Sequence, residues 1–296
     1  MSAPDGFAGS RPGRVAIVGA GQVGTALGMA LTGAGAGAGV EEVTLYDRDP
    51  AAAQASMGRG AGQRIAAGMD DVLSSDTVVL AVPMGEIVDW LREFGASVGK
   101  ETLVVDTGSA KARVVDAMRR LPEHTHALGG HPVAGTERPG PAGADPGLLR
   151  GATFVLCPVR DDDVAMRRGR ALAVAVGANP VAMDAETHDR VVARTSHLPH
   201  LTAGALAWMA ADLAERDREA VRLLASTGFR GATRLAGSDP AMVAGFLAAN
   251  RVEVREAVGQ LIATLLRLQR ALEDDRLSEL VPALRDCREA REAVVG

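Results

Sequence analysis

The sequence predicts an α/β fold in which a Rossmann-type dinucleotide-binding domain is followed by an all-α dimerisation domain. Strand and helix patterns alternate from Arg14 to about Asp184, which is typical of a mostly parallel sheet with helices on both faces. A glycine-rich turn directly follows the first strand. After Asp184 the strand patterns end, and Ala, Leu, Arg and Glu dominate. We therefore predict a flexible tail over residues 1–13, a dinucleotide-binding domain over 14–184 and a helical domain over 185–296.

The first predicted element is a short buried strand, Arg14–Val18, which runs into Gly19-Ala-Gly21-Gln-Val-Gly24 and a helical stretch to Leu31. In this context the first glycine allows a tight turn and the second lets the backbone approach a pyrophosphate. The third permits close packing of the helix on the strand. The motif predicts that the phosphates of a dinucleotide lie at the positive end of the helix.

The second strand, Val43–Tyr46, ends at Asp47. A carboxylate here accepts hydrogen bonds from ribose hydroxyls and would repel a 2′-phosphate, so we predict NAD rather than NADP as the cofactor. Arg48 leaves a second interpretation open, because an arginine could bind that phosphate or remain a solvated loop charge. The residues predicted to bind the cofactor are Gly19, Gly21, Gln22, Val23, Gly24, Asp47, Val82 and Pro83.

The alternation continues to the end of the first predicted domain. Further strands are predicted at Thr77–Val82, Thr102–Asp106, His126–Leu128, Thr153–Cys157 and Pro180–Met183, with helices at Met84–Phe94, Ala110–Leu121 and Val164–Val176. Beyond Asp184 we predict helices over 186–215, 217–226, 240–249, 251–273 and 276–294, with breaks at Thr227-Gly228, Gly237-Ser-Asp-Pro240 and Asp274-Asp275.

The composition is that of an ordinary globular protein. Of 296 residues, 47% are hydrophobic and 23% charged, which excludes disordered and fibrous classes. The net charge is −5 and the basic residues are spread along the chain, so we expect no nucleic-acid partner. We find neither a membrane span nor a signal peptide and expect no membrane partner. Cys157 and Cys287 have no metal-ligand spacing and indicate free thiols, so we predict a cytoplasmic protein without a metal.

Three loops leave the carboxyl ends of predicted strands, where ligands bind in open parallel sheets. Val82-Pro83 offers apolar surface to the dinucleotide. Ser109 offers a hydroxyl near a helix start, or serves only as a helix cap. His131 follows two glycines that let the backbone pass close to a ligand. It is the candidate acid/base, because a neutral imidazole can accept a hydroxyl proton.

The helical domain carries Ser196-His197-Leu-Pro-His200. Ser196 and His200 share a helix face and His197 points elsewhere, which favours a substrate-contacting face over half of a zinc site, since we find no further ligands. Arg230 and Arg234 are four residues apart and suit a carboxylate or a solvated helix face.

Together these residues resemble the prephenate and arogenate dehydrogenase family, the cyclohexadienyl dehydrogenases, over nearly the whole chain. The matching motifs are the glycine fingerprint, Asp106-x-Gly-Ser109-x-Lys111, Gly129-Gly-His131-Pro-x-Ala-Gly-Thr136-Glu137, His188-Asp189, Ser196-His-Leu-Pro-His200, Thr233-Arg234 and Ser238-Asp-Pro240.

The resemblance implies an NAD-dependent oxidative decarboxylation of prephenate to 4-hydroxyphenylpyruvate, in tyrosine biosynthesis, by a homodimer joined through the helical domain. His131 would accept the proton of the ring hydroxyl, and Ser109 would hold that hydroxyl and orient His131. Substrate-binding roles would fall to Ser196, His200, Arg234 and, in a loop at the mouth of the pocket, Glu137. The His188-Asp189 pair would fix the first helix of the second domain.

Alternative functions stay open at this point. Arogenate, or an amino-substituted prephenate, would be favoured by a pocket carboxylate, for which Glu137 and Glu186 are available. A 3-hydroxyacid dehydrogenase is disfavoured because no lysine follows Lys111. A binding module that senses NAD without turnover is the non-enzymatic alternative.

Overall fold

The computed structural model of the chain describes residues 11–135, 138–213, 217–273 and 277–295. These residues form two compact units, one that ends at Asn250 and one that begins at Arg251. The first unit contains a sheet with helices on both faces and a further group of helices. The second consists of two long helices.

The sheet has eight strands in the order β3-β2-β1-β4-β5-β6-β7-β8. The strands are β1 Gly13–Val18, β2 Val40–Tyr46, β3 Arg64–Ile65, β4 Thr77–Leu80, β5 Leu103–Asp106, β6 His126–Pro132, β7 Thr153–Pro158 and β8 Asn179–Ala182. All neighbouring pairs are parallel except β6 and β7, which are antiparallel. The predicted α/β class with a mostly parallel sheet is confirmed.

Two hydrophobic clusters cover the two faces of the sheet. The helices that cover them are α1 Gln22–Ala34, α2 Pro50–Gly58, α3 Met69–Leu73, α4 Met84–Phe94, α5 Ala112–Met118 and α6 Asp163–Ala175. Side chains alternate between faces along each strand, so Val15 and Ile17 lie in one cluster while Ala16 and Val18 lie in the other. The carboxyl ends of the parallel strands therefore lie at one edge of a rigid sheet.

The structure corrects several predicted boundaries in this part of the chain. The tail was predicted to reach residue 13, but Gly13 starts β1 and the Pro12 carbonyl accepts a hydrogen bond from the Thr77 hydroxyl. Residues 1–10 lie outside the described part. The strand predicted at His126–Leu128 continues to Pro132, because β7 pairs with its second half. Helices α2 and α3 and the short strand β3 were not predicted.

The remaining helices of the first unit are α7 Ala185–Val192, α8 Leu198–Ala211, α9 Arg218–Leu224, α10 Thr227–Thr233 and α11 Pro240–Ala249. A π-helical turn, Ala193–His197, interrupts the single helix that we predicted over 186–215. The break predicted at Thr227-Gly228 lies two residues earlier, between the end of α9 at Leu224 and the start of α10 at Thr227, and α10, which packs against α8, was not predicted. The predicted domain boundary at residue 184 stays a prediction, while the two compact units separate at Asn250.

The second unit is formed by α12 Arg251–Glu273 and α13 Leu277–Val295. The two helices pack on each other, and Arg267 lies 4.0 Å from Asp286 across them. Both helices expose large apolar side chains, among them Ile262, Leu265 and Val281. None of the helices that the structure describes is both long and apolar enough to cross a membrane.

Candidate active site

The glycine turn between β1 and α1 has the geometry that the fingerprint predicts. Gly19 has a φ of +105°, and a Cβ on it would lie 2.4 Å from the Ala81 carbonyl oxygen. A Cβ on Gly24 would lie 2.0 Å from the Gly19 carbonyl oxygen, so helix and strand are in close contact. A Cβ on Gly21, by contrast, would have no atom within 4 Å. Gly21 therefore faces open space into which a pyrophosphate fits.

The carboxylate of Asp47 lies against this turn. Its Oδ2 accepts the N–H of Ala20 over 2.7 Å, and its Oδ1 accepts the N–H of Asp49 over 2.8 Å. Arg48 next to it forms an ion pair with Glu86 of α4, with 2.9 Å between Nη2 and Oε1. The end of β2 thus presents a fixed carboxylate where the adenosine ribose of a dinucleotide would bind, and Arg48 is engaged elsewhere.

The other residues predicted to bind the cofactor lie around the same turn. The amide nitrogen of Gln22 donates to the carbonyl oxygens of Arg138 and Gly143, at 2.7 and 3.2 Å. Its side chain thereby ties the long β6–β7 connection to the glycine turn. Val23 and Val82 are half-buried against the hydrophobic clusters, and Pro83 is exposed at the start of α4.

His131 lies near the carboxyl end of β6, opposite Val155 of β7, and its exposed fraction is 8%. We predicted it in a loop, but it belongs to a strand. Gly130 before it allows a close approach of chains, because a Cβ there would lie 2.2 Å from the carbonyl oxygen of Asp106. The candidate base is therefore part of the sheet.

A chain of hydrogen bonds fixes the ring of His131. Its Nδ1 lies 2.8 Å from Nε2 of His188, whose Nδ1 lies 2.8 Å from Oδ1 of Asp189. Because a carboxylate only accepts, Nδ1 of His188 carries the proton, and its Nε2 is the acceptor in a neutral ring. His131 then donates from Nδ1, so its own Nε2 is unprotonated. Nε2 is the atom that can accept a proton from a substrate.

Burial keeps this base neutral. Loss of hydration on burial holds the pKa of His131 well below its usual range, and His188 and Lys111 act in the same direction. An imidazole with a lowered pKa remains unprotonated at neutral pH. The site therefore presents a neutral base in a dry environment.

The second group of predicted residues surrounds the π-helical turn. His200 donates from Nδ1 to the carbonyl oxygen of Ser196 over 3.0 Å, and its ring lies edge-on to Phe246 of α11. His197 is fully buried, stacks on Phe246 at 4.7 Å and lies 3.2 Å from the amide nitrogen of Asn250. That amide also donates to the backbone carbonyl of Asp189, at 2.7 Å, which links this group to the His131 chain.

His197 itself is held uncharged. Burial lowers its pKa to about 4. Among the described residues no atom forms a hydrogen bond with Nε2 of His197. The charge of Asp189 and the nearby backbone of Ser109 act against burial and limit how far the pKa falls. Sequence reasoning placed this side chain away from the site, whereas it lies beside the loop that carries Ser109.

The remaining predicted site residues have different outcomes. Ser109 is half-buried on the loop after β5, and Nδ1 of His131 bonds to His188, so an orienting role of Ser109 stays a prediction. Arg234 begins a 3₁₀ turn that packs against α8, and its side chain is exposed. Glu137 lies outside the described residues. In the described ranges no three His, Cys, Asp or Glu side chains are grouped to hold a metal ion.

Comparison with known proteins identifies the family. Residues 36–179 match the family model described as prephenate dehydrogenase, nucleotide-binding domain, and residues 184–286 match that of the prephenate dehydrogenase dimerization domain. The "Probable prephenate dehydrogenase NovF" of Streptomyces niveus is 32% identical over 266 residues, which are 87% of this chain and 69% of that protein. The chain belongs to the prephenate dehydrogenase family. The resemblance inferred from the motifs is confirmed.

Two further prephenate dehydrogenases are similar to this chain. The Bacillus subtilis (strain 168) prephenate dehydrogenase is 30% identical over 226 residues, 75% of this chain, and this chain spans 61% of that relative's length. A crystal structure of prephenate dehydrogenase from Aquifex aeolicus, in complex with hydroxyphenyl propionate and NAD⁺, has a TM-score of 0.86 at 26% identity. The match covers 95% of this chain and 98% of that one.

In this family member the residues that sequence reasoning missed are those behind the base. His188 was assigned to fixing a helix, and Asp106 and Lys111 were noted only as parts of a motif. One signal was available. Asp106 ends the apolar run Leu103-Val-Val, where a charge at a buried position requires a buried partner.

Proposed function

We propose that this chain is an NAD-dependent dehydrogenase that converts prephenate to 4-hydroxyphenylpyruvate by oxidative decarboxylation, as a step of tyrosine biosynthesis. The observation that carries the proposal is the contact of buried His131, through Nδ1, with the His188–Asp189 pair, which leaves Nε2 as the basic atom of a neutral ring near the carboxyl end of β6. The Aquifex aeolicus relative, which binds NAD⁺ and hydroxyphenyl propionate, supports the cofactor and the aromatic acid.

The proposed mechanism follows from the hydrogen bonds around this base. NAD, when bound, supplies the hydride acceptor. Nε2 of His131 accepts the proton of the ring hydroxyl while the carbon that bears it loses hydride. The ring carboxylate leaves as carbon dioxide, and the ring becomes aromatic. The Nδ1 hydrogen bond to His188, which is bonded in turn to the Asp189 carboxylate, holds the ring in place while Nε2 takes up the proton.

The other predicted residues have roles in binding. Ser109 holds the substrate hydroxyl next to His131. Ser196 and His200 line the ring, and Arg234 and Glu137 contact its carboxylates and the mouth of the pocket. The fixed Asp47 carboxylate accepts hydrogen bonds from the adenosine ribose and selects NAD over NADP.

We also propose that the protein is a homodimer joined through its helical domain. Trp208 of α8 and Leu224 of α9 are 78% and 79% exposed. An apolar groove of about 450 Å³ is lined by side chains that include Leu213, Val221, Leu224 and Phe229. Burial of such a surface favours association. Sedimentation of the protein at twice its chain mass of 30.5 kDa would support the dimer, and a mass of one chain would exclude it.

We propose a cytoplasmic location as well. Cys157 is buried and Cys287 is exposed, and both are free thiols. Free thiols are typical of a reducing compartment.

The test of the reaction is a parallel assay of the purified protein. Formation of reduced cofactor is followed with prephenate and with arogenate, each with NAD and with NADP. We expect turnover with prephenate and NAD, and a loss of about 10²–10⁴-fold in kcat for His131→Asn with NAD affinity unchanged. His124→Asn, an exposed histidine, is the matched control.

Each outcome of this assay has a distinct meaning. Turnover with arogenate alone would mean that the substrate is the amino acid arogenate, and the role of His131 as the base would be unchanged. Equal kcat in wild type and His131→Asn would show that His131 is not the base. If NAD binds but none of the four combinations gives turnover, the protein would be a binding module without enzymatic activity.

A further inference from the structure

Lys111 lies between β5 and α5 and is fully buried. Its ammonium group donates to Oδ2 of Asp106 and to the carbonyl oxygen of Gly130, the latter at 2.6 Å. Asp106, which is also fully buried, accepts the N–H of Gly130 at Oδ1 over 2.9 Å. Both backbone polar groups of Gly130 are therefore bonded to this ion pair.

The ion pair lies where the pairing of β6 with β5 stops. The ladder between β5 and β6 ends at Val105 and Leu128, while β6 continues to pair with β7 on its other side. Beyond that point the side chains of Asp106 and Lys111 are the hydrogen-bond partners of Gly130 on the side of β5. Because His131 directly follows Gly130, the ion pair sets the position of the backbone that carries the base.

The backbone of the same lysine reaches the ring of His131 by a second route. The N–H of Lys111 donates to Oδ1 of Asp189 over 2.6 Å, and the N–H of Ala112 donates to Oδ2 over 2.9 Å. Asp189 accepts from His188, and His188 accepts from His131. Lys111 is thus common to both sets of contacts that hold the base.

We propose that Lys111 is a positioning residue for the base: its side chain fixes the backbone of His131, and its backbone N–H fixes the ring through Asp189 and His188. This role rests on the proposed function, in which His131 accepts the substrate proton. A purely stabilising role explains the pair less well, because two buried charges lose hydration, and apolar side chains of similar size fill such a space without that loss.

Because Lys111 is charged, its role can also be measured through the pKa of His131. The groups that face His131 are His188 from α7, His197 from the π-helical turn, and Lys111, with the carboxylates of Asp106 and Asp189 behind them. Burial lowers the pKa of His131 most, and His188 and Lys111 lower it further. Loss of the lysine charge therefore raises the pKa of the base, which a residue that only fills space would not do.

The primary test is the double variant Asp106→Asn/Lys111→Met, which removes both buried charges together. Lys111→Met alone leaves a buried carboxylate unpaired and is the secondary variant. Lys100→Met is the matched control, since Lys100 is exposed and is the other lysine of the chain. Lys111→Arg keeps the positive charge and changes the length and shape of the side chain that carries it. Far-UV circular dichroism establishes which variants are folded.

For the double variant we expect kcat to fall about 10- to 100-fold, with KM for prephenate and Kd for NAD within about threefold of wild type. In a folded Lys111→Met, which removes only the positive charge, the acid limb of the kcat/KM profile should move to higher pH. Lys111→Arg should lose kcat without that movement. A folded double variant with the kcat of Lys100→Met, or a folded Lys111→Met with the kcat and the acid limb of Lys100→Met, would overturn the proposal.

A measurement without substrate separates this proposal from the reaction. NMR titration of the His131 ring, with His131→Asn identifying its signal, follows protonation of the base directly. A titration moved to higher pH in a folded Lys111→Met supports the role of Lys111 even if the wild type turns over no cyclohexadienyl acid. If the titration does not move and kcat keeps its wild-type value, the role proposed for Lys111 is wrong, although the proposed reaction is unaffected.

Discussion

Nδ1 of His131 donates a hydrogen bond to Nε2 of His188 over 2.8 Å. This contact joins strand β6 to helix α7, across 57 positions of the chain. It determines which nitrogen of His131 carries a proton, and hence which one can act on a substrate.

Replacement of His188 should impair the base without affecting the cofactor. In His188→Phe the ring of His131 loses its acceptor, so its tautomer and orientation are no longer fixed. We expect kcat to fall about 100-fold or more while Kd for NAD is unchanged. Steady-state kinetics and fluorescence titration with NAD measure the two quantities. His124→Phe serves as the control, and a wild-type kcat in His188→Phe would show that the contact is not needed.

The lowered pKa of His131 predicts the shape of the pH profile. Burial, His188 and Lys111 favour the neutral ring, so the base stays unprotonated as the pH falls through its ordinary value of about 6.5. We expect kcat/KM to hold its plateau through that range and to decline only below it. A profile from pH 9 to 4.5 tests this, and an acid limb centred at or above 6.5 would contradict it.

His197 predicts a loss of stability in acid. Its folded pKa of about 4 lies below the unfolded value of about 6.5, so the unfolded chain takes up a proton in this window that the folded chain does not. The folded state therefore loses about 2 kcal/mol through this group between pH 7.5 and pH 5. Urea unfolding at both pH values should show a smaller loss in His197→Gln. Equal losses in the two proteins would refute the assignment.

Gly130 should not tolerate a side chain. An alanine Cβ would lie 2.2 Å from the Asp106 carbonyl oxygen, so the backbone before His131 must move. We expect Gly130→Ala to destabilise the protein by about 1–3 kcal/mol and to lower kcat. Gly33→Ala is the control, because Gly33 lies in α1 with no atom within 4 Å of the added Cβ, and should stabilise by about 0.5–1 kcal/mol. Thermal unfolding compares them, and equal midpoints would argue against the close contact.

The Arg48–Glu86 ion pair predicts a modest effect on cofactor choice. Glu86→Gln removes the partner of Arg48 and leaves its guanidinium available to a 2′-phosphate. Since both side chains are partly or largely exposed, we expect kcat/KM for NADP relative to NAD to rise only a few-fold. The double variant Arg48→Gln/Glu86→Gln should return to the wild-type ratio. An unchanged ratio in Glu86→Gln would mean that Asp47 alone controls selectivity.

What could be predicted from the sequence was encoded locally. The β1–α1–β2 unit follows from the spacing of Gly19, Gly21 and Gly24 between apolar strands, and helix α4 begins and ends where its pattern predicts. The family followed from short motifs.

The incorrect predictions concern contacts between distant segments. Gly129 and Gly130 do not resemble strand residues, and they are in a strand because β7 returns beside them. Thr227-Gly228 resembles a break, yet it starts a helix that packs against α8. His188 could not be assigned to the base, because its partner is 57 residues away.

The place of His131 in β6 separates the base from the connection that follows this strand. That connection is tied to the glycine turn by the Gln22 amide, whereas the base is held by the sheet and by α7. These two sets of contacts share no side chain, so a substitution of Gln22 removes the tie of the connection and leaves the hydrogen bond between His131 and His188 in place.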